Sequence, residues 1–115
     1  MKVLICGGRA YDDREKVFDV LDRLDHQNPI CAVIQGGATG ADELARDWAD
    51  GRRVKIRTYI AGKKKTGRSS WSKGNQRMLD EGKPDLVVAF PGVKRTADML
   101  RRARAVGATV LEILH

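Results

Sequence analysis

The chain has 115 residues, 42% of them hydrophobic, and carries 22 Lys and Arg against 15 Asp and Glu, a formal net charge of +7. That length suits one domain with a core of its own, and no stretch approaches the ~18 apolar residues of a membrane span. The charge favours an anionic partner, whether nucleotide, nucleic acid or acidic surface, without choosing among them. Cys6, Cys31, His26 and His115 show no metal-ligand spacing, so neither a metal nor a cofactor is expected. Both cysteines sit in or beside apolar strands, where small buried thiols are common.

Val3-Leu4-Ile5-Cys6 reads as a buried strand that runs directly into Gly7-Gly8-Arg9. It is too short for a signal-peptide core, which places the protein in the cytoplasm. Asp12 and Glu15 mark a helix start, since Asp caps and Glu reaches back. Val17, Val20, Leu21 and Leu24 then recur at helical spacing over residues 13–26, until Asn28-Pro29.

Ala32-Val33-Ile34 is a second apolar run, suited to the centre of a parallel sheet. Gly36, Gly37 and Gly40 follow, where the backbone can turn sharply and approach a ligand. Thr39 with Asp42 three residues later fits a capping pattern. The N–H groups of such a helix start are suited to phosphate. This helix carries Ala41, Leu44, Ala45 and Trp48 on one face and stops at Gly51. Trp48 reads as a core or interface anchor. If the latter, the apolar face of residues 39–51 would join two copies in a dimer.

Residues 54–60 alternate apolar and polar up to a final apolar pair, as an edge strand does. Residues 61–74 form a long basic stretch with glycines, read as a functional or disordered loop. Lys63 to Lys65 fit a solvated run. Trp71 fits either a lid over an aromatic base or an apolar anchor. A short helix is expected from Ser72 to Gly82 with Met78 and Leu79 inward. Leu86 to Phe90 is the fourth strand, broken by Pro91-Gly92. A helix over Thr96 to Val106 follows, with Thr96 as its cap and Gly107 as its stop. Arg101, Arg102 and Arg104 fall on its outer side as surface charge. Residues 109–114 form the last strand.

This alternation implies a Rossmann-like α/β three-layer sandwich with a five-stranded parallel sheet, order 3-2-1-4-5. Ligands in such sheets bind beyond the carboxyl ends of the strands, where the winding reverses. The turns after strands 1, 2 and 4 meet there: Gly7, Gly8 and Arg9; Gly36, Gly37, Ala38, Thr39, Gly40 and Asp42; Pro91 and Gly92. Glycine beside polar or basic residues at all three turns points to a nucleotide-like ligand. Arg9 would neutralise phosphate, or else stand as a solvated surface residue; the turn it sits in favours the former. Asp42 suits a ribose hydroxyl or the helix dipole equally. The Thr96 hydroxyl and the N–H groups near it could also meet phosphate. No G-x-G-x-x-G pattern follows the first strand, and no acidic residue ends the second, so a dinucleotide fold is not indicated.

Four pieces in order carry a resemblance: Gly7-Gly8-Arg9, then Gly36 to Asp42, then Asn75-Gln76-Arg77-Met78-Leu79, then the fourth strand with Pro84-Asp85 before it and Pro91-Gly92 and Thr96-Ala97-Asp98-Met99 after it. Together they resemble the SLOG superfamily, the Rossmann-like group of the lonely-guy phosphoribohydrolases and the DprA/Smf DNA-binding proteins, and within it the small YspA-like branch. The resemblance covers nearly the whole chain. It implies one domain over residues 1–115 that binds a nucleotide-derived small molecule as sensor or sequestering module, with no membrane role and a tendency to assemble. It adds Asn75, near a helix start beside the crevice, and Asp98 to the candidate ligand-binding residues.

The lonely-guy enzymes carry R-K-x-x-M and P-G-G-x-G-T-x-x-E motifs, whose arginine and last glutamate are their catalytic pair. Aligned here, these fall on Gly74 and Met99, neither of which does acid–base work. Lys73 and Asp98 lie one residue away, a rotation of about 100 degrees on a helix. Val93 and Arg95 replace two glycines, so bulk there should narrow the phosphate cradle or move it, while Lys94 and Arg95 add charge. The catalytic residues are therefore unknown. Two other functions stay open. One is a nucleoside-5′-phosphate N-glycosidase using Asp42 or Asp98. The other is DprA-like nucleic-acid binding, suggested by the charge and the basic loop.

Overall fold

The computed structural model describes residues 1–60 and 67–115. The run Lys63 to Lys65 lies outside the described residues, and so does the side chain of Trp71. Strands β1 (Lys2–Cys6), β2 (Ala32–Gln35), β3 (Lys55–Thr58), β4 (Leu86–Ala89) and β5 (Val110–Glu112) form one parallel sheet in the order β3-β2-β1-β4-β5. They alternate with helices α1 (Arg14–Gln27), α2 (Ala41–Gly51), α3 (Gly67–Gly82) and α4 (Lys94–Ala105). The Rossmann-like sandwich and its strand order are as the alternation implies.

β1 is central because its residues Val3 to Cys6 are all buried, with both faces covered. Successive side chains point to opposite faces. Val3 and Ile5, with Val33, Val88 and Phe90, therefore pack against Val17, Leu21, Ala45 and Trp48 of α1 and α2. Leu4 and Cys6, with Ile34, Val87 and Ala89, pack against Met78, Leu79, Met99, Leu100 and Ala103 of α3 and α4. The register pairs Leu4 with Ile34 and Cys6 with Ala89, which brings the turns after β1, β2 and β4 to one edge of the sheet.

Helix starts differ from the expected positions. Asp13, not Asp12, caps α1 by accepting from the Lys16 N–H at 3.0 Å. Gly40, not Thr39, is the cap of α2. α4 begins at Lys94 with Val93 as its cap, so Thr96 lies inside its first turn. α3 begins at Gly67 rather than Ser72, since no proline interrupts residues 67–82. The last strand spans only Val110 to Glu112. Cys31 is exposed rather than buried.

Trp48 is wholly buried between α2 and α1, and its Nε1–H donates to Asp22 at 2.8 Å. Ala41, Ala45, Trp48 and Ala49 of α2 are thus spent on the chain's own core. No helix among the described residues is long and apolar enough to cross a membrane.

Candidate functional site

The three turns hold one another. The Gly8 N–H donates to the Pro91 carbonyl at 2.8 Å, tying the β1 turn to the β4 turn. The Ala41 N–H donates to the Gly8 carbonyl at 3.2 Å, and the Thr39 hydroxyl to the Arg9 carbonyl at 3.1 Å, tying it to the start of α2. These contacts need bare backbone. A Cβ on Gly40 would stand 2.1 Å from the Gly8 oxygen, and one on Gly92 would stand 2.1 Å from the Thr96 hydroxyl. Contact between turns thus explains these two glycines without a ligand.

The turn after β2 is filled by its own side chains. The Gly36 and Ala38 N–H groups donate to Asp42 Oδ2 at 3.0 and 3.3 Å. The Gly37 N–H donates to Gln35 Oε1 at 2.6 Å, and Gln35 Nε2 donates to Thr58 Oγ1 at 2.6 Å. Both side chains are buried. Asp42 therefore shapes the turn, and it stands in the first turn of α2, where a carboxylate also favours the helix dipole. Burial pushes its carboxyl above the usual value, opposed by the two N–H donors and by the charge of Arg95. Gln35 had gone unmarked, because a glutamine at a strand end carries no signal until its partners are known.

Above these tethers lies a cleft lined by Arg9, Ala38, Asp42, Asn75, Arg95 and Thr96, floored by Ile5, Cys6, Gly7 and Met78. It offers about 20 Å³, enough for an ordered water and too little for a phosphate. Arg95 narrows it. The guanidinium reaches from the first turn of α4 across to Gly36, where a Cβ would stand 3.3 Å from Nη2. Arg95 is half-buried, and desolvation lowers its pKa, partly offset by Asp42 and reinforced by Arg9. Neither Arg9 nor Arg95 makes a salt bridge among the described residues. α4 also starts without a side-chain cap, leaving its first N–H groups to water or a ligand. The effect of Arg95 as bulk and charge was legible in the sequence; its place over the β2 turn was not.

Asn75 and Asp98 are committed elsewhere. Asn75 Nδ2 donates to Asp98 Oδ2 at 3.0 Å and to the Arg95 carbonyl at 3.1 Å. Arg102 donates to the same carboxylate at 2.8 Å and, through its other nitrogen, to Gln76 at 2.8 Å, while Arg101 takes Oδ1. Desolvation tends to raise the Asp98 carboxyl, but Asn75 and the two arginines outweigh it and hold the pKa below the usual range. Arg102 thus pairs with a buried carboxylate instead of serving as plain surface charge. Asn75 lines the cleft from this network; Asp98 is not among the lining residues. Met99 lies in the core. Burial, helped by Asp42 and Glu112, pushes the Cys6 thiol up to about 12, so it carries no thiolate at neutral pH. What the cleft can do chemically is receive negative charge.

Residues 1–65 match the family described as YAcAr, the YspA, cpYpsA-related SLOG family. The chain is also similar to the Gene 61 protein of Mycobacterium phage D29, at 33% identity over 118 aligned residues that cover 96% of this chain and 94% of that one.

Proposed function

The chain belongs to the YspA, cpYpsA-related SLOG family, and on that premise we propose that its single domain binds a nucleotide or nucleotide-derived small molecule in the crevice at the ends of β1, β2 and β4, as sensor or sequestering module. The observation that carries this reading is the convergence of Arg9 and Arg95 on one cleft with no carboxylate at ion-pair distance from either among the described residues. Asp42, the carboxylate that lines the cleft, is engaged by the Gly36 and Ala38 N–H groups. Arg9 and Arg95 repel each other, and an anion between them would relieve both. Entry requires Arg95 to swing off the β2 turn, after which its planar fork suits a phosphate.

A thermal-shift screen tests this reading. The panel is nucleoside mono-, di- and triphosphates, ADP-ribose and its cyclic forms, NAD, and a short single-stranded DNA. One nucleotide class should raise the melting temperature, since a ligand at one hundred times its Kd adds ~2.7 kcal/mol to stability. A shift with DNA alone, steeply lost with salt, would replace this reading with nucleic-acid binding. No shift with any member would remove it.

A further inference from the structure

The crevice does not end at Arg9. Arg9 also lines a second, open groove of about 240 Å³ over the start of α2, together with Tyr11, Asp12, Thr39, Glu43 and Leu44. The Tyr11 ring is held against Phe90 with ring centroids 5.5 Å apart, so it presents a fixed wall. Leu44 adds apolar surface. Asp12 and Glu43 are exposed, and neither makes a salt bridge among the described residues. The balance thus shifts across Arg9: two arginines and the engaged Asp42 on the cleft side, and two exposed carboxylates beside an aromatic wall on the groove side.

We propose that this groove takes the sugar of a ribonucleoside phosphate, with its vicinal hydroxyls donating to Glu43 and Asp12 and its phosphate held between Arg9 and Arg95. The inference rests on the crevice reading above and extends it to a substrate class. The cleft is far too small for a nucleoside, whereas the adjoining groove has the room. Carboxylates accept from hydroxyls, and an ionised acceptor roughly doubles the strength of such a bond. A cationic group would also suit the two acids, but Arg9 lines the same groove and opposes it. The apolar groove on the other flank, between α4 and β5, has Glu112 but no arginine to link it to a phosphate.

Affinities of the four ribonucleoside 5′-monophosphates and their 2′-deoxy counterparts, measured by calorimetry, test the proposal. The native protein should prefer the ribo form of the base it accepts by about tenfold, one hydroxyl-to-carboxylate bond. The preference should vanish in Asp12→Ala/Glu43→Ala, which removes both acceptors, while both sugars still bind far better as monophosphates than as nucleosides. Glu43→Ala alone should show part of the loss. Both positions are exposed, and an unchanged melting temperature without nucleotide verifies the fold. A native protein indifferent to the 2′-hydroxyl, or variants that keep the preference, would overturn the sugar assignment and leave the phosphate crevice standing. Failure of every monophosphate to bind would overturn the sugar assignment, and failure of the whole thermal-shift panel would remove the crevice reading with it.

Discussion

Gly40→Ala is expected to cost about 4 kcal/mol of stability, a loss confined to a short list of structural causes. Two of them meet at this residue. Its backbone has φ +76° and ψ −130°, a region open to glycine and strained for any L side chain. A Cβ there would also stand 2.1 Å from the Gly8 oxygen and 2.5 Å from the Arg9 oxygen. Neither neighbour can yield alone. The Gly8 carbonyl accepts from Ala41 and Tyr11, and the Gly8 N–H is bonded to Pro91. Relief requires parting the β1 turn from α2, which gives up hydrogen bonds worth about 1 kcal/mol each. A domain of this size holds roughly 5–15 kcal/mol in total. Urea unfolding should show the midpoint falling sharply. Gly51→Ala is the control, because nothing lies within 4 Å of a Cβ there, and it should be neutral or slightly stabilising. A Gly40→Ala protein within 1 kcal/mol of the native one would contradict the described turn packing.

Asp98→Ala should cost about 3 kcal/mol, the usual loss when one partner of a buried pair is removed. The carboxylate is 5% exposed and Arg102 only 28%. Its loss leaves the Arg102 guanidinium with Gln76 alone and the Asn75 amide with the Arg95 carbonyl alone, whereas Arg101, 68% exposed, turns to water. Asp98→Asn keeps an acceptor and should cost less. The pH dependence has a definite sign. The folded pKa lies below the ordinary 3.8, so ionised Asp98 stabilises the fold above that value and the contribution is lost as pH falls through the depressed pKa. The stability gap between native protein and Asp98→Asn should therefore be full at pH 7 and shrink below pH 3.8. A gap that does not change with pH would mean that the carboxylate charge is not what holds α3 to α4.

The sheet was legible because its signal is local. Val3 to Cys6, Ala32 to Ile34 and Leu86 to Phe90 are short apolar runs that end at glycine or proline, and a parallel sheet buries such runs on both faces. Met78, Leu79, Met99 and Leu100 declared their inward faces by helical spacing. Side chains with distant partners were misread. Thr39 has the spacing of a cap, but its hydroxyl goes to Arg9, 30 residues away in the chain. Asp42 has the spacing of a capping-box partner, yet it bends back to the Gly36 and Ala38 N–H groups. Asp98 resembles a displaced catalytic acid until Asn75 and Arg102 are seen on it. The glycines of the three turns suggested a ligand approaching backbone. At Gly40 and Gly92 the approaching atoms are the protein's own. A ligand is accordingly expected at the two arginines rather than at these glycines.

The arginines are thus the place to test the account. The measurement is a calorimetric titration of the native protein, Arg95→Ala and Arg9→Ala/Arg95→Ala with the four ribonucleoside 5′-monophosphates and the four nucleosides. Each arginine bond to a phosphate is a charge-assisted contact worth about tenfold in affinity. A monophosphate should bind the native protein, Arg95→Ala should weaken that binding about tenfold and the double variant further still, and the nucleoside should bind all three proteins equally weakly. Monophosphate binding that is unchanged in the double variant would contradict this, because the cleft between Arg9 and Arg95 would then not be where the phosphate lies.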